Sequence, residues 1–279
     1  MNKIAIMVDS AADISNEEAI ELGIHVIRMP LGVGEKTFLE FDEISDEEFF
    51  EAMNNGESVK TSQPILGDLI KKIDSLLVDY DQVLYIPISK GLSGTYSSAE
   101  TLSKSYDGKL VVVESSYVAY PLQYLSKIAK EMADKGIDIN TIKSTIENNM
   151  DMFAVIVPEN LKHLKKGGRI SPAAAALGSL LKICPLLKFE DGKIDVLDKV
   201  RTLKKAYKKA VEYCVDVENK EEYLWYVVGS NCDESVSELQ EFAKNESGIN
   251  FETSKLRAII TAHTGPGTVA VGRVKKIKY

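Results

Sequence analysis

Four stretches of the chain carry small hydroxyl side chains, two of them together with glycine, at the ends of expected strands: Asp9-Ser10, Thr61-Ser62, Ser89-Lys90-Gly91-Leu92-Ser93-Gly94-Thr95 and His263-Thr264-Gly265-Pro266-Gly267. Hydroxyl oxygens and glycine-exposed amides are hydrogen-bond donors suited to an anion. Where such a loop opens a helix, as Ser93-Gly94-Thr95 is expected to, the free N–H groups of the first turn add to them. An anion drawn toward a dry site needs such donors, which cost less desolvation than a buried ion pair. Ser93, His263 and an acid such as Asp9 are also the residue types of a hydrolytic triad, so a serine hydrolase is the rival reading. With three histidines, His25, His163 and His263, a set of metal ligands is not expected.

Several familiar motifs are imitated without being met. Gly265-Pro266-Gly267-Thr268-Val269-Ala270 has the letters of a dinucleotide fingerprint, but the chain ends too soon after it for a βαβ unit. Gly32-Val33-Gly34-Glu35-Lys36-Thr37 carries Glu35 where a phosphate-binding loop needs Gly directly before Lys, and Gly91-Leu92-Ser93-Gly94 is one residue short of a nucleophile elbow.

The elements that must position these loops follow from periodicity. Lys3 to Val8 is a short apolar strand, and Ser15-Asn16-Glu17-Glu18 spells a capping box for a helix. Apolar residues at helical spacing from Ile65 to Leu77 predict a helix with Pro64 in its first turn. Val83 to Ile88 and Leu110 to Val113 read as strands, with helices over about Thr95 to Ser105 and Tyr117 to Ala133. This alternation implies a mainly parallel sheet flanked by helices. After the strand Phe153 to Val157 the rhythm changes. Leu186 to Phe189 and Lys193 to Val196 flank Asp191-Gly192 as a hairpin. Leu224 to Val228, Leu256 to Ala262 and Thr268 to Lys276 read as further strands around a helix at Ser235 to Ala243. The fold class is therefore α/β with two domains: 1–158, with the parallel sheet, and 159–279, α+β with antiparallel pairs.

Composition sets the outer bounds. The 279 residues carry 44% hydrophobic and 27% charged side chains, a globular balance. The longest stretch without a formal charge, Ala258 to Gly272, is interrupted by Gly-Pro-Gly and is too short to span a bilayer. The apolar run after Met1 is stopped by Asp9, unlike a signal peptide, which places the chain in the cytoplasm. Cys184, Cys214 and Cys232 lack the spacing of a disulfide or metal framework and read as buried thiols. Net charge is −8, but 1–60 holds 14 acidic and 4 basic residues while 161–209 holds 4 acidic and 13 basic. An overall acidic chain is a poor partner for nucleic acid. The basic stretch, with Lys165, Lys166, Lys204, Lys205, Lys208 and Lys209, suits an anionic membrane surface or an acidic protein face.

Taken in order, Asp9-Ser10-Ala11-Ala12-Asp13, Thr61-Ser62-Gln63-Pro64, Ser93-Gly94-Thr95-Tyr96-Ser97-Ser98-Ala99, Leu164-Lys165-Lys166-Gly167-Gly168-Arg169-Ile170-Ser171, Lys182-Ile183-Cys184-Pro185-Leu186-Leu187, Asp191-Gly192-Lys193-Ile194 and His263-Thr264-Gly265-Pro266-Gly267 span nearly the whole chain. Together they closely resemble the DegV family, the fatty-acid-binding subunits that serve bacterial fatty acid kinases. The resemblance implies a non-catalytic carrier with a long-chain fatty acid mostly in the second domain and its carboxyl group at the domain interface. It implies head-group contacts from Thr61, Ser62, Ser93, Gly94, His263 and Thr264, and phosphate or partner contacts from Arg169 and Arg201. No metal or cofactor is implied; ATP would belong to the kinase catalytic subunit, and the acyl phosphate would go on to phospholipid synthesis. Pro172 to Ala176 with Leu177, Leu180 and Leu181 is a candidate wall for the tail. Two positions depart from the family pattern: Cys184, where Lys is common before Pro, and Thr202, where Gly is common after Arg201. A tail of about sixteen carbons at ~0.8 kcal/mol per CH₂ contributes roughly 12 kcal/mol before ordering costs, so the tail supplies affinity and the head group orientation.

Overall fold

The structure is a computed structural model that describes residues 2–177 and 183–279. It divides into two units, 1–150 with 277–279, and 151–276. The division falls ahead of Pro158 because the strand before that proline pairs with strands of the second unit, not the first. The last residues return to the first unit, where the Ile277 amide donates to the Tyr124 hydroxyl at 2.8 Å.

The first unit runs β1 (Ile4–Asp9), α1 (Asn16–Leu22), β2 (His25–Ile27), β3 (Pro30–Val33), β4 (Lys36–Leu39), α2 (Asp46–Asn54), β5 (Val59–Thr61), α3 (Leu66–Leu76), β6 (Gln82–Ile86), α4 (Thr95–Ser103), β7 (Leu110–Val112), α5 (Tyr120–Asp134) and α6 (Ile139–Asn148). Strands β2-β1-β6-β7 form an all-parallel sheet in that order, as the alternating pattern predicted. Every residue of β1 is buried, which is what a parallel strand covered on both faces requires. The capping box forms as read: the Ser15 hydroxyl accepts from Glu18 N, and the Glu18 carboxylate accepts from Ser15 N. Helix α3 begins later than the sequence suggested, with Ile65 as N-cap, so Pro64 stands before the helix. Likewise α5 starts at Tyr120, not Tyr117, because the loop ahead of it is held elsewhere. A small antiparallel sheet, β4-β3-β5, lies outside the strand–helix alternation. Its short strands carry few of the apolar alternations that mark longer ones.

The second unit runs β8 (Met152–Val157), α7 (Lys162–Gly167), α8 (Pro172–Leu177), β9 (Cys184–Glu190), β10 (Lys193–Val200), α9 (Leu203–Val215), β11 (Tyr223–Gly229), α10 (Asp233–Ser247), β12 (Glu252–Lys255), α11 (Ala258–Thr264) and β13 (Val269–Lys275). Its sheet has the order β10-β9-β8-β13-β11-β12, antiparallel except for the β11–β12 pair. The Asp191-Gly192 hairpin is present, with both residues at positive φ (50° and 72°) as its two-residue turn demands. One strand expectation fails. Leu256 to Ala262 is not a strand: α11 starts at Ala258, and the strand beside β11 is the polar β12 just upstream. A short apolar run is ambiguous between buried strand and buried helix, and Ile259-Ile260-Thr261 tips a β-propensity reading the wrong way. Gly265-Pro266-Gly267 therefore follows a helix. Of the cysteines Cys214 is fully buried, while Cys184 and Cys232 are partly buried against the edge of the second unit's core. Among the described residues no helix is long and apolar enough to cross a membrane.

One face of the second sheet carries Phe153, Val155, Val157, Trp225, Val227, Val269 and Val271, packed with Ala206, Tyr207, Ala210 and Leu239 of α9 and α10. The alternate residues point the other way. There Ala154 pairs with Gly272 and Ile156 with Ala270, and the Tyr226 ring lies over Gly272.

Candidate functional site

In an open parallel sheet, ligands bind beyond the carboxyl ends of the strands at the point where strand order reverses. In the first unit that point lies between β1 and β6, since the chain goes from β1 outward to β2 and then returns to β6 on the other side. The carboxyl ends there are Asp9-Ser10 and the loop Ser89 to Gly94. Two of the four hydroxyl-bearing stretches thus meet for a topological reason.

The loop folds tightly on itself. The Ser89 hydroxyl accepts from Gly91 N at 3.1 Å, and the Leu92 and Ser93 amides both donate to Ser89 O. The Ser93 hydroxyl lies 2.8 Å from that of Thr95 and accepts from Thr95 N at 3.3 Å. Gly94 is the exposed N-cap of α4. The third stretch joins these two: Thr61 closes β5 opposite Leu31, the Ser62 amide donates to Pro30 O, and the Gln63 side chain accepts from Ser98 of α4 at 2.9 Å. Gln63 also borders Gly94, where a Cβ would stand 3.6 Å from its Oε1. The structure therefore brings Thr61, Ser62, Ser93 and Gly94 to one end of the first unit. Gln63 is the residue that the sequence reading passed over, although it sits inside the quoted Thr-Ser-Gln-Pro motif.

The fourth stretch belongs to the second unit. His263 lies on α11 against α7, so close that a Cβ on Gly167 would stand 2.4 Å from its Nδ1. The approach is reciprocal, because a Cβ on Gly265 would stand 2.7 Å from His163 Cδ2 on α7. Gly168, next to Gly167, has φ 67° and caps α7 in the left-handed conformation, so the two adjacent glycines serve different needs. Burial, followed by the charge of Arg169, lowers the His263 pKa to about 4, leaving a neutral imidazole at pH 7. The Arg169 guanidinium donates to Gly167 O at 2.5 Å and so ties down the glycine turn as well as facing His263. The Thr264 hydroxyl is turned back onto Ile260 O at 3.2 Å, and its carbonyl accepts from Thr268. Arg201 stands exposed between β10 and α9. Thr202, the departure after it, caps α9 by accepting from Lys205 N at 3.3 Å. In the candidate tail wall Ala174 is fully buried and α8 is capped by Ser171; Leu180 and Leu181, with Lys182 of the quoted motif, lie outside the described residues.

Of the hydrolase reading's residues, Ser93 and Asp9 belong to the first unit and His263 to the second. The Ser93 hydroxyl pairs with that of Thr95, and both Asp9 oxygens accept backbone amides, from Ala11 and Ile88. His263 is packed against Gly167 and faces Arg169.

A family model described as "Uncharacterised protein, DegV family" matches residues 3–276. The chain belongs to the DegV family. A DegV domain-containing protein of Staphylococcus aureus is 31% identical over 99% of this chain and all of its own length. Among solved structures, a DegV family protein from Thermus thermophilus described for its fatty acid binding is 26% identical, with a TM-score of 0.86 over 99% of this chain and all of that one. A fatty acid binding DegV family protein from Streptococcus agalactiae is 29% identical, also with a TM-score of 0.86 over 99% of this chain. The α/β architecture with its separate parallel and mostly antiparallel sheets is thus that of DegV structures.

Proposed function

We propose that this DegV chain is a carrier that binds a long-chain fatty acid and presents its carboxylate to a separate ATP-dependent kinase. It then carries the acyl phosphate toward phospholipid synthesis. The observation that carries the reading is full-length likeness to DegV proteins described as fatty acid binding, at 26% and 29% identity. The local chemistry supports it: the donors gathered at the first unit's strand ends suit a carboxylate. His263, neutral at pH 7, has the chemistry to donate to a carboxylate without adding a buried charge, and Arg169 and Arg201 suit a phosphate. The chain performs no bond-making step in this reading. The basic stretch meets the anionic cytoplasmic membrane surface. At the start of α9, exposed Leu203 adjoins exposed Lys204 and Lys205, the mixture of apolar and cationic side chains such a surface attracts.

Mass spectrometry of a solvent extract from the purified chain, with native mass spectrometry of the intact protein, tests the reading. About one fatty acid per chain is expected. An apo mass that takes up neither oleate nor palmitate overturns it. Ser93→Ala and Thr61→Ala should lower acyl-phosphate formation by the kinase more than fatty acid retention; equal loss of both refutes the division between head and tail. Exchange with phosphatidylglycerol vesicles should weaken with salt and with Lys204, Lys205, Lys208 and Lys209 changed to Gln. Indifference to both would remove the membrane contact.

A further inference from the structure

Asp9 is fully buried at the end of β1, directly under the point where the parallel sheet reverses its order. Its two carboxylate oxygens are divided between two chain segments. Oδ1 accepts from Ala11 N at 3.0 Å, within the short helical turn Ser10–Ala12, and Oδ2 accepts from Ile88 N at 2.9 Å. Ile88 is the last residue before the loop that carries Ser93 and Gly94. The same two segments are fastened again from the loop after β7: Ala119 N donates to Ala11 O, Ser89 N to Tyr117 O, and the Ser115 hydroxyl to Pro87 O, all between 2.7 and 3.0 Å. Ala119 holds this clasp at φ 55°, ψ −137°, a conformation an L-residue adopts only under constraint.

We propose that Asp9 is the positioning residue of the head-group loop: by holding the amides of Ala11 and Ile88 it fixes where Ser89 to Gly94 presents its hydroxyl and amide donors. The proposal rests on the fatty acid reading for what those donors bind. An ionised carboxylate is the acceptor that serves two amides from two strands at once; an amide side chain keeps one carbonyl oxygen and turns an N–H toward the other segment. Burial opposes that ionisation and raises the Asp9 pKa to about 6, against the lowering effect of the Ile88 and Ala11 hydrogen bonds and of the nearby Tyr85 hydroxyl. Among the described residues, the ionisable side chain coupled to Asp9 is that of Tyr85 on β6; the nearby strand β2 is followed by Arg28, whose guanidinium is engaged by Ile14 O and Asn16 Oδ1. Helix α5, which packs on β1, buries the polar side chains of Tyr120, Gln123 and Ser126, of which the Tyr120 phenol is ionisable.

The test is a pH titration of the full-length, ¹⁵N-labelled protein freed of lipid, read from amide chemical shifts. In the wild type, Ala11, Ile88, Ser93 and Gly94 should titrate together with a midpoint near 6. Asp9→Asn should show none of this between pH 5 and 7, and Tyr85→Phe, which removes a favourable neighbour of the ionised form, should move the midpoint upward. If Ala11 and Ile88 titrate while Ser93 and Gly94 stay still, Asp9 serves the sheet alone and the proposal falls; it also falls if none of the four titrates. The wild-type result decides even if Asp9→Asn does not fold. It is independent of fatty acid, so failure of the carrier reading would show separately, as no oleate uptake by the wild type. Where both hold, Asp9→Asn should lower acyl-phosphate formation by the kinase at pH 7.5 as far as Ser93→Ala does, and an unchanged rate would refute the coupling.

Discussion

Replacing Gly167 by alanine sets two local rules against each other. In an exposed helix the change is favourable by about 1 kcal/mol, because glycine loses more backbone entropy on folding. In this fold the new Cβ would lie 2.4 Å from His263 Nδ1, 3.3 Å from Cε1 and 3.4 Å from Cγ. Ordinary contact is about 3.5–4.0 Å, so the imidazole or one of the short helices α7 and α11 has to move by about 1 Å. Overpacking on that scale costs about 2–3 kcal/mol. The net expectation is a loss of about 1–2 kcal/mol, or roughly 3–8 °C in the melting of the second unit. Gly168 is the control. At φ 67° with nothing within 4 Å of a Cβ, its cost is backbone strain alone, about 1 kcal/mol for alanine. Gly168→Asn should recover part of that loss, since asparagine tolerates the left-handed region, whereas Gly167→Asn should be worse than Gly167→Ala. Thermal unfolding of the four variants, followed by circular dichroism, gives the order. A Gly167→Ala protein as stable as wild type, or more so, would mean that helix propensity rules and that α7 and α11 do not approach as described.

Asp9 and His263 should give opposite pH dependences. Asp9 has its pKa raised from 3.8 to about 6, so the stability it contributes is fully present below 3.8 and lost as pH rises through 6, about 3 kcal/mol across that window. Comparing urea midpoints of wild type and Asp9→Asn should show it as a difference in slope, and parallel pH curves would refute it. His263 is lowered from 6.5 to about 4, so its contribution is present above 6.5 and lost as pH falls toward 4. Hydrogen exchange between those pH values should loosen α7 and α11 relative to His263→Gln, and equal protection in both proteins would contradict the depressed pKa. At the start of α9, Thr202→Ala should cost about 1 kcal/mol and Thr202→Gly only a few tenths, as for other helix caps; a larger loss for glycine in thermal melts would mean the hydroxyl is not the cap. Gly272→Ala should be strongly destabilising, since its Cβ would meet the Tyr226 ring at 2.2 Å. Combining it with Tyr226→Phe, which leaves the ring in place, should restore little, whereas Tyr226→Ala should relieve the clash.

What the sequence determined by itself is local chemistry. The α1 capping box, the Asp191-Gly192 hairpin and the strand–helix alternation of the first unit are legible because each depends on residues within a few positions of one another. The donor-bearing stretches were legible for the same reason: a hydroxyl or glycine after an apolar run marks a strand end wherever it occurs. The Leu256 to Ala262 stretch was misread because its side chains are buried in either conformation, and the choice of helix α11 rests on what packs around it. Asp9 reads as a loop acid until the fold brings Ile88 to its second oxygen across the sheet. Gly167 and Gly168 are indistinguishable as letters. One is required because His263, distant in sequence, occupies the space a side chain would fill, and the other because its backbone turns left-handed. Backbone conformation is a nearest-neighbour property, whereas excluded volume and shared hydrogen bonds belong to pairs of residues that only the folded chain brings together.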